Sequence, residues 1–76
     1  MIVDDERIIR YGIVSMVHWE KLGLKLVGEA SEGREGYELF LKKRPNIVIT
    51  DLKMPGLNGL EMIRKIKELD DNIKFI

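Results

Sequence analysis

IVITD, at residues 47–51, is the stretch of sequence that decides the fold. Four consecutive β-branched residues are expected of a strand that is buried on both faces, as strands in parallel sheets are. The run stops at Asp51, and the pairs Pro-Gly at 55–56 and Asn-Gly at 58–59 then mark a loop. The stretch therefore predicts an inner strand of a parallel sheet with a carboxylate directly after its last residue.

Two kinds of periodicity alternate on either side of this strand. Apolar residues recur at helical spacings in three segments, which predicts helices over residues 6–18, 33–43 and 60–69. Short apolar runs predict further strands over residues 1–3, 24–30 and 73–76. The order β-α-β-α-β-α-β is typical of an open α/β fold, in which right-handed crossovers place helices on both faces of a parallel sheet.

Each predicted helix has an apolar face that we expect to turn toward the sheet. The residues concerned are Ile9, Ile13, Met16 and Val17 in the first helix, Tyr37, Phe40 and Leu41 in the second, and Leu60, Ile63 and Ile66 in the third. Trp19 is expected to pack where the first helix leads into the second strand.

Composition excludes several classes of protein. Thirteen basic and thirteen acidic residues cancel, so no net field would attract this segment to nucleic acid or to an anionic membrane. The sequence has no cysteine to form a disulfide or a zinc site. It shows no signal peptide, and its apolar runs are far shorter than the about 20 residues of a membrane span. We therefore expect a cytoplasmic protein.

Carboxylates follow two of the predicted strands. Asp4 and Asp5 come after the first strand and Asp51 after the third. In a flavodoxin-like strand order of 2-1-3-4 these strands are neighbours, so the three side chains would meet outside their carboxyl ends. Two carboxylates about 5 Å apart repel by roughly 3 kcal/mol at an effective dielectric near 20, which favours a bound cation or a shared proton. Hard oxygen ligands without nearby His or Cys suit Mg²⁺.

Each acidic residue also has a simpler explanation. Asp4, Asp5 and Glu6 could cap the first helix and complement its dipole, and Asp51 could be an ordinary turn former. Capping does not require carboxylates at two adjacent strand ends, however. The combination therefore favours a functional site.

Two motifs resemble those of one known family. IVDDE at residues 2–6 looks like the acidic opening of the response-regulator receiver domains of two-component systems. ITDLKMPGLNGLE at residues 49–61 resembles their phosphoacceptor loop, and the two motifs stand at the separation usual in that family. The resemblance extends over the whole chain.

The resemblance implies a role for each matching residue. Asp51 would accept a phosphoryl group from a sensor histidine kinase, with Mg²⁺ as the cofactor. Asp5 would bind the metal directly, Asp4 through a water molecule, and Asp51 and the backbone carbonyl of Lys53 would complete the protein ligands. Pro55 and Gly59 would shape the loop. Such a domain is a signalling module that catalyses only its own phosphotransfer and dephosphorylation.

Further similarity concerns the domain that this module would control. WEKLG at residues 19–23 and VGEA at residues 27–30, followed by Gly33, look like regulators with an AraC-type DNA-binding output domain. The family's fold continues through a fifth strand and helix, and carries a Ser or Thr and a Lys beyond residue 76. We therefore expect residues 1–76 to be the N-terminal portion of one receiver domain, without an output domain, and to self-associate when isolated.

Four other functions can be compared with the sequence. A haloacid-dehalogenase-type phosphatase would need a second Asp where Lys53 stands. A flavodoxin-like FMN carrier would need a Ser/Thr-rich loop where the acidic residues 4–6 lie, and a P-loop enzyme would need a Gly-Lys-Ser/Thr run. A phosphorylation-independent interaction module remains open for a chain of this length.

Overall fold

The computed structural model describes residues 1–54, 56 and 58–76. Its elements in chain order are β1 (Ile2–Val3), α1 (Arg7–Met16), β2 (Glu29–Ala30), α2 (Gly33–Lys43), β3 (Ile47–Thr50), α3 (Gly59–Leu69) and β4 (Lys74–Phe75). The strands form one parallel, flavodoxin-like sheet in the order β2-β1-β3-β4. The predicted α/β class, element order and strand order 2-1-3-4 are confirmed.

The hydrophobic core lies between the sheet and the helices α2 and α3. Phe40, Met62 and Ile66 are completely buried there against Val3 and Val48. The buried residues of each helix follow the same spacing, with Gly33, Gly36 and Phe40 in α2 and Gly59, Met62 and Ile66 in α3. Positions i, i+3 and i+7 lie on one face of a helix, so each helix presents a narrow stripe to the core.

In α2 and α3, two residues that were predicted to face the core are exposed instead. Leu41 retains 42% of its accessible surface and Leu60 retains 57%. Each follows the buried stripe by one position, which rotates its side chain about 100° away from the core. The predicted apolar face of each helix therefore included one residue that lies outside the buried stripe. It also omitted the glycines within the stripe, because glycine gives no hydrophobic signal.

The second strand is much shorter than predicted. Residues 24–28 were expected to extend it, but only Glu29–Ala30 pairs with β1. A strand needs a partner for its backbone groups, and β1 offers only Ile2 and Val3. The first helix also ends early: Val17 adopts an extended conformation, so α1 stops at Met16 rather than near residue 18.

The opposite face of the sheet carries α1 and is thinly covered. None of the ten residues of α1, all of which the structure describes, is buried, and Ile9 and Met16, which were predicted to turn toward the sheet, are exposed instead. A groove of about 420 Å³ lies on this face, lined in part by Ile2, Ile47 and Ile49. Just after the end of α1, the Trp19 indole donates a hydrogen bond to the Val14 carbonyl oxygen at 3.1 Å.

Within the described residues, every helix is too short or too polar to cross a membrane.

Candidate acidic site

The pairing of β1 with β3 brings the acidic residues together. Val3 lies opposite Thr50 in the parallel ladder, and the amide of Asp51 donates to the Val3 carbonyl oxygen at 3.0 Å. On the other side of β1, the amide of Asp4 donates to the Ala30 carbonyl oxygen at 3.1 Å. The chain therefore leaves the sheet at Asp4 and at Asp51 from adjacent positions on the same edge.

Asp4, Asp5 and Asp51 form one cluster at this edge. A carboxylate oxygen from each can be chosen so that all three lie within 4.8 Å of one another. Asp4 and Asp51 are half-buried and Asp5 is exposed. At this separation the charges repel by roughly 3 kcal/mol per pair at a dielectric near 20, and solvent around Asp5 lowers its share. The predicted meeting of the three residues is confirmed, and the arrangement favours a bound cation.

The loop after β3 is held by its own backbone and side chains. Asp51 Oδ1 accepts a hydrogen bond from the Lys53 amide at 3.1 Å, and Thr50 Oγ1 donates to the Asp51 carbonyl oxygen at 2.9 Å. The Gly59 amide donates to the Leu52 carbonyl oxygen at 3.2 Å, which joins the start of α3 to the loop. These bonds fix the two peptides that follow Asp51.

Gly59 is required at the start of α3 for steric reasons. A Cβ on this residue would lie 2.9 Å from the Asp51 carbonyl carbon and closer still to its oxygen, far inside van der Waals contact. Asn58 caps the helix, because its Oδ1 accepts from the Glu61 amide at 2.9 Å. The proposed role of Gly59 in shaping the loop agrees with this geometry, whereas Pro55 lies outside the described residues.

The capping explanation of the first acidic run applies to one of its residues. Asp4 Oδ1 accepts a hydrogen bond from the Glu6 amide at 2.8 Å, as a turn former would. Glu6 occupies the N-cap position of α1 and makes no side-chain capping bond. Within the described part of the chain Asp4 therefore has a local structural role as well as a place in the cluster, and capping does not account for Asp5.

Arg10 is a further residue at this site, and the sequence patterns had not indicated it. Its guanidinium donates to the Asp4 carbonyl oxygen and forms an ion pair with Glu29 of β2. Helical side chains lean toward the N-terminus of their helix, so a cation near the start of α1 can reach the loop that precedes it. The short sequence distance between Arg10 and the acidic run was the signal that could have indicated this contact.

Comparisons with known proteins agree with this geometry. The family described as "response regulator receiver domain" matches residues 1–76. The chain is 47% identical over 76 residues to the uncharacterized transcriptional regulatory protein YesN of Bacillus subtilis, which is all of this chain and 21% of that protein. It is 37% identical over 73 residues to the transcriptional regulatory protein HptR of Staphylococcus aureus, which is 96% of this chain and 29% of that one.

Solved structures show the same fold. The receiver domain of AraT, a response regulator from Geobacillus stearothermophilus, superimposes with a TM-score of 0.93 at 36% identity, over 97% of this chain and 57% of that one. A two-component transcriptional regulator AraC from Clostridium phytofermentans gives 0.91 at 31% identity over the same shares. The chain thus spans less than two thirds of these relatives. With its strand order, its acidic cluster and its full-length match in sequence, this chain belongs to the response-regulator receiver domain family.

Proposed function

We propose that this chain is the phosphoacceptor module of a two-component response regulator and that Asp51 takes the phosphoryl group. The observation that carries the proposal is the meeting of Asp4, Asp5 and Asp51 within 4.8 Å at the carboxyl edge of a receiver-type sheet. Asp51 directly follows β3, an inner strand of the sheet, and its Oδ1 accepts a hydrogen bond from an amide of its own loop. A nucleophile benefits from such a fixed position.

The donor set of the cluster fits Mg²⁺. Three carboxylates supply hard oxygen ligands, and the exposure of Asp5 leaves room for metal-bound water. We assign Asp5 and Asp51 as direct ligands, Asp4 as a ligand through water, and the backbone carbonyl of Lys53 as the remaining protein ligand. When bound, the ion would neutralise the carboxylates and the oxygens of the phosphoryl group.

The hydrogen bonds of Asp51 assign different tasks to its two oxygens. Oδ1 accepts from the Lys53 amide, and among the described residues Oδ2 has no such partner. Oδ2 is therefore the oxygen that we expect to attack phosphorus. The new O–P bond forms as the P–N bond of a phosphohistidine donor breaks, which leaves an aspartyl phosphate and a neutral donor histidine after proton uptake.

The rest of the signalling pathway is proposed from the relatives. YesN and HptR are named as transcriptional regulatory proteins, and one solved relative is titled a two-component transcriptional regulator AraC. We propose that a sensor histidine kinase donates the phosphoryl group, and that the full-length protein carries an AraC-type DNA-binding output domain and acts in the cytoplasm. The module would change its own phosphorylation state and would not turn over other substrates.

Chemical trapping tests the assignment of Asp51. The full-length protein is incubated with Mg²⁺ and a small acyl phosphate or a phosphorylated kinase, and the aspartyl phosphate is then reduced with borohydride and located by peptide mass analysis. We expect the label on Asp51 and none on the Asp51→Asn variant. A label on Asp4, Asp5 or His18 would refute the mechanism, and no label at all would favour a phosphorylation-independent interaction module.

A further inference from the structure

We infer that Arg10, oriented by Glu29, is a positioning residue of the acidic site that fixes the peptide joining Asp4 to Asp5. The inference rests on the proposed Mg²⁺ site and adds a residue to it. Arg10 would not touch the metal or the phosphoryl group. It would act by holding two carboxylates in the direction that the site needs.

The guanidinium of Arg10 uses two of its nitrogens for two different elements. Nη1 donates to the Asp4 carbonyl oxygen at 2.5 Å, and Nε lies 3.5 Å from Glu29 Oε1. The Arg10 side chain is only 17% exposed, whereas that of Glu29 is 42% exposed. A planar fork bound at two points has little rotational freedom, so both contacts fix its orientation.

The carbonyl group that Arg10 binds influences the direction of two carboxylates in the cluster. The Asp4 carbonyl oxygen belongs to the peptide between Asp4 and Asp5, so its direction sets how both side chains leave the backbone. The amide of Asp4 is already held by Ala30 of β2 at 3.1 Å. With Arg10 added, the peptide groups on both sides of the Asp4 α-carbon are anchored to β2, one directly and one through the Arg10–Glu29 pair.

Charge alone does not explain this arrangement. A lone cation beside a metal site would repel Mg²⁺ and weaken its binding. The carboxylate of Glu29 lies 3.5 Å from the guanidinium, so its negative charge offsets part of that repulsion. The main effect of the pair on the cluster should therefore be geometric.

A charge-neutral double variant separates geometry from charge. Arg10→Met/Glu29→Gln removes one positive and one negative charge and keeps similar side-chain lengths. Arg34→Met/Glu38→Gln makes the same changes in an exposed pair of α2, 3.7 Å apart, and serves as the matched control. Mg²⁺ binding is measured by isothermal titration, thermal unfolding is measured without Mg²⁺, and the Asp5 amide resonance is followed by NMR.

We expect about tenfold weaker Mg²⁺ binding in Arg10→Met/Glu29→Gln, in the range typical of groups that orient metal ligands. The Asp5 amide resonance should shift even without Mg²⁺, and Arg10→Lys should restore the affinity only in part because an ammonium lacks the planar fork. The control pair should bind as the wild type does. Unchanged affinity with a lowered melting temperature would show a purely structural role and overturn the inference. Absence of Mg²⁺ binding by the wild type would instead overturn the proposed site itself.

Discussion

The carbonyl group of Asp51 occupies space that a side chain on residue 59 would need. A Cβ at Gly59 would overlap the Asp51 carbonyl oxygen and lie 2.9 Å from the carbonyl carbon. The start of α3 and the peptide that follows the proposed phosphoacceptor are thus in direct contact. A change at residue 59 must therefore move one of the two.

Gly59→Ala is the smallest change that tests this contact. The methyl group would displace the Asp51 loop or the first turn of α3, and we expect a loss of about 1–3 kcal/mol in the free energy of unfolding. Mg²⁺ affinity should fall with it because Asp51 moves away from Asp4 and Asp5. Chemical denaturation and titration with Mg²⁺ measure the two effects.

Gly12→Ala is the matched control for that substitution. Gly12 lies in α1, and beyond its own stretch of helix no atom comes within 4 Å of the position that a Cβ on this residue would take. Alanine should therefore stabilise the protein by about 0.5–1 kcal/mol. Equal behaviour of the two variants would contradict the close approach between Gly59 and Asp51.

Removing one carboxylate from the cluster should weaken Mg²⁺ binding sharply. Asp5→Ala and Asp51→Asn each delete a proposed direct ligand, so we expect at least about a tenfold loss of affinity in the full-length protein. Asp71→Asn removes the same charge from an exposed turn before β4 and should have no such effect. Isothermal titration decides the point, and wild-type affinity in both site variants would rule out the assigned ligands.

The narrow buried stripe of α3 predicts unequal effects from two apolar positions. Ile66 is completely buried, so Ile66→Ala should cost about 2–5 kcal/mol of unfolding free energy. Leu60 is 57% exposed, and Leu60→Ala should change it by no more than about 0.5 kcal/mol. Equilibrium denaturation of both variants provides the comparison. Similar losses would mean that α3 is rotated relative to the sheet.

The thinly covered face of the sheet should make the 76-residue chain self-associate. Met16 and Ile76 are 79% and 74% exposed, and β4 lies at the edge of the sheet with one side available for pairing. Light scattering over a dilution series should detect dimers or larger species. Met16→Lys should shift them toward monomer, whereas Leu69→Lys, which changes an exposed residue of α3, should not. A monomer at every concentration would contradict the prediction.

Local sequence patterns predicted most of the architecture. The bounds of α2 and β3 agree residue for residue, because a run of β-branched residues and a helical segment before Pro45 leave few alternatives. The meeting of Asp4 and Asp51 was expected for a flavodoxin-like strand order, because that order makes the first and third strands neighbours. The acidic residues at adjacent strand ends were therefore recognisable before any coordinates.

Other features depend on contacts between residues that are distant in sequence, and only the tertiary structure decided them. β2 shortened to Glu29–Ala30 because a strand extends only where a partner pairs with it. Leu41 and Leu60 turned outward because packing, rather than hydrophobicity alone, sets the rotation of a helix about its axis. The bridge from Arg10 to Asp4 and Glu29 likewise joins a helix, a loop and a strand. Periodicity within a single segment carries no information about such a bridge.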